Sequence, residues 1–174
     1  MVREEAYYTI LKVFKDTEFS DTLLHQRAKK LKGSKENVAL FYNMVKGVIK
    51  MRLKLDYILS QYTDQDKFAQ TDIKIKTWLY LGLYQMMYLD SIPNHAAINE
   101  TVELAKKNMG EKVGDFVNAV LRAYQRFLTE LAELRHRSGK HNESSIRLAF
   151  IKLLGDYAKA KKLRLIPEGS TKGK

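Results

Sequence analysis

The run Trp78-Leu79-Tyr80-Leu81-Gly82-Leu83-Tyr84-Gln85-Met86-Met87-Tyr88-Leu89 is apolar on every side of a helix, with Gln85 its one strongly polar member. A helix without a polar face has to be wrapped by others, so this segment predicts a central, buried helix inside an all-α bundle. It is too short to span a bilayer, which needs roughly 20 apolar residues. Asp72 stands where the helix opens, and Ile92-Pro93-Asn94 ends it and starts the next, because proline is tolerated at a helix start but not inside one. With 2 Pro and 9 Gly among 174 residues, the chain lacks the turn residues that an all-β protein needs roughly every 8–12 positions.

The flanking segments have the apolar stripes of helices that cover such a core. Ala6, Ile10, Val13 and Phe14 predict a helix over residues 3–15, with Arg3, Tyr7 and Lys12 off the stripe. Ser20 or Asp21 caps a second helix that runs through Leu24, Ala28 and Leu31 to Gly33. From Ser34 onward, Phe41, Val45, Val48, Leu55, Leu59 and Tyr62 predict one long helix, or two nearly collinear ones bent near Gly47. Residues 61–70 read as a polar loop. After Pro93, Ile98, Val102 and Ala105 face inward while Glu103 and Lys107 form an i,i+4 pair on the water side.

Gly110 then precedes the most regular stripe: Val113, Val117, Val120, Tyr124, Phe127, Leu131 and Leu134, an unbroken helix over residues 112–137. Ser138-Gly139-Lys140 turns the chain, and Ile146, Phe150, Leu153, Tyr157 and Ala160 repeat the spacing. These two stripes predict an antiparallel helical hairpin, and they can pair between two chains of a homodimer as readily as within one.

Charge and composition narrow the chemistry. The net charge is +11, of which residues 135–174 hold +8 and the first 134 residues only +3. A basic segment at one end fits an electrostatic nucleic-acid contact as well as a solubilising tail. The chain has no cysteine, which excludes disulfides, thiolate metal sites and cysteine nucleophiles. His25, His95, His136 and His141 are scattered without ligand spacing, and His95 reads as a capping or packing residue. No phosphate-cradling glycine loop or nucleophile elbow is present. The expectation is a protein with no metal, no cofactor, no catalytic residue and no membrane segment. Its polar, acidic opening Met1-Val2-Arg3-Glu4-Glu5 points to the cytoplasm.

One constellation is more specific. Ile92-Pro93-Asn94-His95-Ala96-Ala97-Ile98-Asn99-Glu100-Thr101-Val102-Glu103-Leu104-Ala105 is followed by Phe116-Val117-Asn118-Ala119-Val120-Leu121. In order and separation these resemble the two signatures of the NusB/RsmB superfamily of RNA-binding helical domains. The resemblance covers roughly residues 2–127, and it implies a NusB-like domain over 1–127 with a helical extension and basic tail over 128–174.

The superfamily has an antitermination branch, which binds single-stranded RNA with a small ribosomal protein. In its other branch the same fold precedes the catalytic domain of an rRNA 5-methylcytosine methyltransferase. Tyr84-Gln85, His95-Ala96-Ala97 and Asn118-Ala119-Val120-Leu121-Arg122 lean to the second branch. Methylation at C5 of a pyrimidine needs a thiolate, however, and this sequence has none.

The resemblance therefore implies a non-catalytic RNA-binding protein acting on nascent or ribosomal RNA, in antitermination or rRNA biogenesis. The alternative is a separate or truncated targeting domain of the methyltransferase. Single-stranded RNA requires positive charge for phosphates and aromatic rings for stacking. Arg3 and Tyr7 on the first helix, with Arg122 and Arg126 a turn apart on the long one, are the expected RNA contacts. Phe116 is the expected contact to a protein partner, a ribosomal protein or a methyltransferase subunit, though its spacing before Val117 equally fits core. At the start of the central helix the family's partner-facing acids are represented by Asp72 alone, beside Lys74 and Lys76.

Overall fold

A computed structural model describes residues 2–16, 20–31 and 34–137, with side chains through Glu133. The predicted hairpin and basic ridge beyond Arg137 lie outside the described residues. The chain divides into two compact units, Met1–Ala123 and Tyr124–Lys174.

Seven helices and no strand occur among the described residues: α1 (Val2–Asp16), α2 (Asp21–Lys29), α3 (Lys35–Ser60), α4 (Gln65–Ala69), α5 (Ile73–Tyr88), α6 (Asn94–Met109) and α7 (Glu111–Arg137). In the first unit α5 packs against α1, α3 and α6, and α1 also packs along α3. The central position of α5 follows from its composition. Every residue from Thr77 to Gln85 is buried, including Trp78, Leu79, Tyr80, Leu81 and Leu83. Each such aliphatic side chain contributes roughly 1.5–3 kcal/mol on burial.

Local signals place the helix ends. Ser20 Oγ accepts from the Leu23 N–H at 3.1 Å, and Asp72 Oδ1 accepts from the Lys74 N–H at 2.8 Å, each satisfying a donor the first turn leaves open. Between α6 and α7 the backbone at Gly110 has φ +90°, a value that side chains with a Cβ rarely adopt.

Of the two readings of the third helix the continuous one holds: it is one element of 26 residues, and Gly47 makes a packing contact to Tyr84. Other details depart from the sequence expectations. Residues 61–70 contain α4, capped by Asp64 and anchored by Phe68, which is 2% exposed. A five-residue helix with one buried apolar side chain has no periodicity to read. Lys107, expected to pair with Glu103, reaches across to Glu4 of α1 at 3.1 Å. His95, expected to cap or pack, is exposed. Tyr7, expected off the apolar stripe, is buried. It belongs to the row Tyr7, Ile10, Phe14, which is as regular as the row through Ala6.

Candidate nucleic-acid interface

Arg3 and Arg122, distant in sequence, meet consecutive residues of α6. The Arg3 Nε–H donates to Gln85 Oε1 at 2.5 Å, and its guanidinium pairs with Glu100. Arg122 donates to Asn99 Oδ1 at 2.8 Å. Gln85, fully buried on α5, is itself oriented: its amide nitrogen donates to the Leu81 carbonyl at 3.0 Å and reaches Thr101 Oγ1 at 3.3 Å. The buried amide therefore fixes the α1 guanidinium at the first turns of α6. Asn99 is neutral, and its bond to Arg122 sets the direction of that fork. Glu100 does offset the charge of Arg3.

The aromatic expected beside Arg3 has a different environment. The Tyr7 ring stacks on Trp78 with centroids 3.8 Å apart and planes 6° off parallel, and only 3% of the residue is exposed. Burial, with the neighbouring Tyr8 and Asp72 adding to it, pushes its phenol up to about 12. Tyr8, one position along, is 43% exposed, and its hydroxyl donates to Asn108 Oδ1 at 2.6 Å. Sequence reasoning missed Tyr8. Two adjacent tyrosines on a helix point about 100° apart, so one can be enclosed while its neighbour faces outward.

A polar network ties α1 to the end of α6 alongside Tyr8. Glu4 accepts from Lys107 and from Asn108 Nδ2, at 3.1 and 3.2 Å. Those two hydrogen bonds hold the Glu4 carboxyl below its usual range, against a smaller opposing effect of burial. Phe116 on α7 is 36% exposed and so sits at the surface of the first unit. Arg126 falls in the second unit and is exposed.

Of the five expected site residues, the structure thus brings Arg3 and Arg122 to one turn of α6, leaves Phe116 at the surface and encloses Tyr7. At the start of α5, Asp72 is used as a cap, and Lys76 turns back to Asp56 at 3.5 Å and over the ring of Phe68. Among the described residues no three His, Asp or Glu side chains cluster as metal ligands, and no helix is long and apolar enough to cross a membrane. A shallow depression of about 610 Å³ between α2 and α3 has open walls, including Asp21, His25, Lys29 and Tyr42.

The helix order and the two α6–α7 segments point to one family, whose model, the NusB family, matches residues 1–126. The chain belongs to the NusB family. It is 36% identical over 129 residues to a probable ribosomal RNA small subunit methyltransferase B of Bacillus subtilis strain 168. That match covers 72% of this chain but only 28% of the methyltransferase. Transcription antitermination protein NusB of Listeria monocytogenes is 29% identical over 124 residues, covering 70% of this chain and 94% of the relative. Among solved structures, the antitermination factors NusB and NusE in complex with dsRNA superpose with a TM-score of 0.61 at 22% identity, over 70% of this chain and 91% of that one. A plectonemic RNA supercoil structure contains a chain that matches with a TM-score of 0.62, also at 22% identity, over 74% and 94% of the two chains. At that identity the structures establish the shared NusB fold.

Proposed function

We propose that this NusB-family protein binds RNA without performing chemistry on it, acting on nascent or ribosomal RNA in transcription antitermination or rRNA biogenesis. The observation that carries this reading is the convergence of Arg3 and Arg122 on Asn99 and Glu100. The two guanidinium forks are held at one helix turn, Arg122 by the neutral Asn99 and Arg3 by the buried Gln85 amide and by Glu100, whose carboxylate offsets part of the positive charge offered to a phosphate. Arg126, exposed in the second unit, is proposed as an RNA contact in its own right. Tyr8 supplies the ring on which a base stacks. Tyr7 contributes by packing, since its stack on Trp78 holds the α1 segment that presents Arg3 and Tyr8. The relatives named for antitermination, and the solved complex of NusB with NusE and dsRNA, support the same assignment.

Phe116 is the proposed contact for a protein partner, a ribosomal protein or a methyltransferase subunit. A ribosomal-protein partner has less acid to meet at the start of α5, where Asp72 is flanked by Lys74 and Lys76.

The 36% identity to the Bacillus methyltransferase favours a second reading, an RNA-targeting domain for an rRNA cytosine-C5 methyltransferase. Both readings are tested by titrating the full chain into fluorescein-labelled RNA from the small-subunit rRNA leader at several salt concentrations. Each phosphate contact on a single strand contributes about 0.7 to the slope of log affinity against log salt. Arg122→Ala and Arg126→Ala should each lower that slope by about this amount. A wild-type chain with no salt-dependent RNA affinity rules out both. Co-purification with a methyltransferase catalytic chain decides for the second.

A further inference from the structure

The longest acid-free stretch of the described residues lies on α3, away from the residues assigned above. Between Glu36 and Asp56 this helix carries Lys46, Lys50, Arg52 and Lys54 and no carboxylate. Lys46, Lys50 and Lys54 recur every fourth residue, so they form a row about 12 Å long at 1.5 Å per residue. All three are exposed. Lys46 pairs with the highly exposed Asp21 at 3.3 Å, whereas Lys50 and Lys54 have no carboxylate within ion-pair distance among the described residues. Elsewhere in the first unit many cations are already paired: Arg3 with Glu100, Arg27 with Glu5, Lys76 with Asp56 and Lys107 with Glu4.

The same face carries unusual apolar exposure. Leu53 is 85% exposed and Tyr57, one turn on, is 40% exposed. Positions 46, 50, 53, 54 and 57 fall on one stripe of a helix, so three cations, a leucine and an aromatic ring share a single surface. A lone exposed leucine needs no explanation. A lysine row that meets an acid only at its Lys46 end and runs into an exposed leucine and tyrosine is the combination that single-stranded nucleic acid requires: cations for phosphates and flat apolar surface for unpaired bases.

The geometry points to the Lys46–Lys50–Lys54 row with Leu53 and Tyr57 as a second binding track for single-stranded RNA, separate from the α1–α6–α7 site. Phosphates follow the lysine row, and an unstacked base lies against Leu53 and the Tyr57 ring. This inference rests on the RNA-binding reading above and adds to it a surface on a different helix. Two contact faces on one small domain would let the protein hold an RNA segment longer than a single site can grip.

The test uses the full chain and a fluorescein-labelled 20-nucleotide oligouridine, with a 20-base-pair RNA duplex alongside. Lys50→Gln combined with Lys54→Gln should lower the salt slope for oligouridine by about 1.4, two contacts' worth. Tyr57→Leu should weaken oligouridine binding roughly fivefold or more with the slope unchanged, and Tyr57→Phe should retain it, because stacking needs the ring and not the hydroxyl. Unchanged melting temperatures show that the variants fold. If the lysine pair leaves the slope intact while Arg122→Ala lowers it, the second track is wrong and the first site stands. If the wild-type chain binds neither RNA, both readings fall. A photocrosslinker at position 53 that captures only protein from a cell extract also overturns the RNA track, in favour of an acidic protein partner.

Discussion

Gly47 of α3 lies directly beneath the ring tip of Tyr84 of α5. A Cβ at position 47 would stand 2.1 Å from both Cζ and the hydroxyl oxygen of Tyr84, well inside van der Waals contact. The ring cannot swing away freely, because Tyr84 is buried and its hydroxyl donates to Asn43 Oδ1 at 2.7 Å. The glycine is what lets the long outer helix approach the central one.

Gly47→Ala therefore sets two effects against each other. Alanine gains about 1 kcal/mol of helix propensity over glycine, and overpacking a filled core costs about 1–3 kcal/mol. With the overlap at 2.1 Å the cost should win, giving a net loss of up to about 2 kcal/mol in urea unfolding. Tyr84→Leu should reduce the penalty of Gly47→Ala, a non-additive pair. A stabilised Gly47→Ala protein would mean that α3 and α5 do not approach this closely.

Leu83 reports on the core directly. It is fully buried in the middle of α5, so Leu83→Ala should cost about 2–5 kcal/mol through lost transfer energy and the cavity left behind. Leu53→Ala, on the 85% exposed side of α3, should leave stability nearly unchanged. The two midpoints, compared in one denaturation series, separate the buried helix from the outer face.

The Tyr7 phenol predicts an alkaline limb. Burial is the chief cause that raises it to about 12 from an ordinary value near 10. The folded state thus holds this proton more tightly than the unfolded chain does. The stabilisation is complete below about pH 10 and is lost as pH rises through 12, on the order of 2 kcal/mol in all. Tyr80 adds to the same limb, its phenol raised by burial and by its bond to Asp56. Tyr7→Phe should flatten the loss of melting temperature between pH 10 and 12, and an equally steep limb in that variant would show that Tyr7 is not enclosed.

Glu100 offsets part of the charge that the α6 turn presents. Glu100→Gln leaves Arg3 held by Gln85 but removes the carboxylate. RNA affinity should rise about two- to fivefold at low salt, the scale of a partly exposed ion pair, and the gain should shrink as salt is added. Weaker binding in this variant would mean that the Glu100 contact is needed to position Arg3.

The helices and their boundaries were legible because their causes are local. The apolar completeness of residues 78–85 requires a buried helix wherever it is placed, and Ser20, Asp72 and Pro93 mark helix starts through bonds within a few residues. The signature segments around Pro93 and Phe116 carried the family for the same reason. The short α4 escaped because one Phe68 among polar neighbours has no periodicity to detect.

The site was only half legible. Arg3 and Arg122 could be singled out by charge, but nothing near either of them in sequence names Asn99 or Glu100 as the meeting point. The Arg3–Gln85 bond joins positions 82 residues apart, and the pairing of Gly47 with Tyr84 crosses from α3 to α5. Apolar spacing states which arc of a helix is buried, to within the 100° between neighbouring residues. That margin is the difference between Tyr7 and Tyr8. Which of the two faces water depends on how α1 is rotated against α3 and α5, and that rotation is set by the stacking of Tyr7 on Trp78, a contact between helices that no local pattern contains.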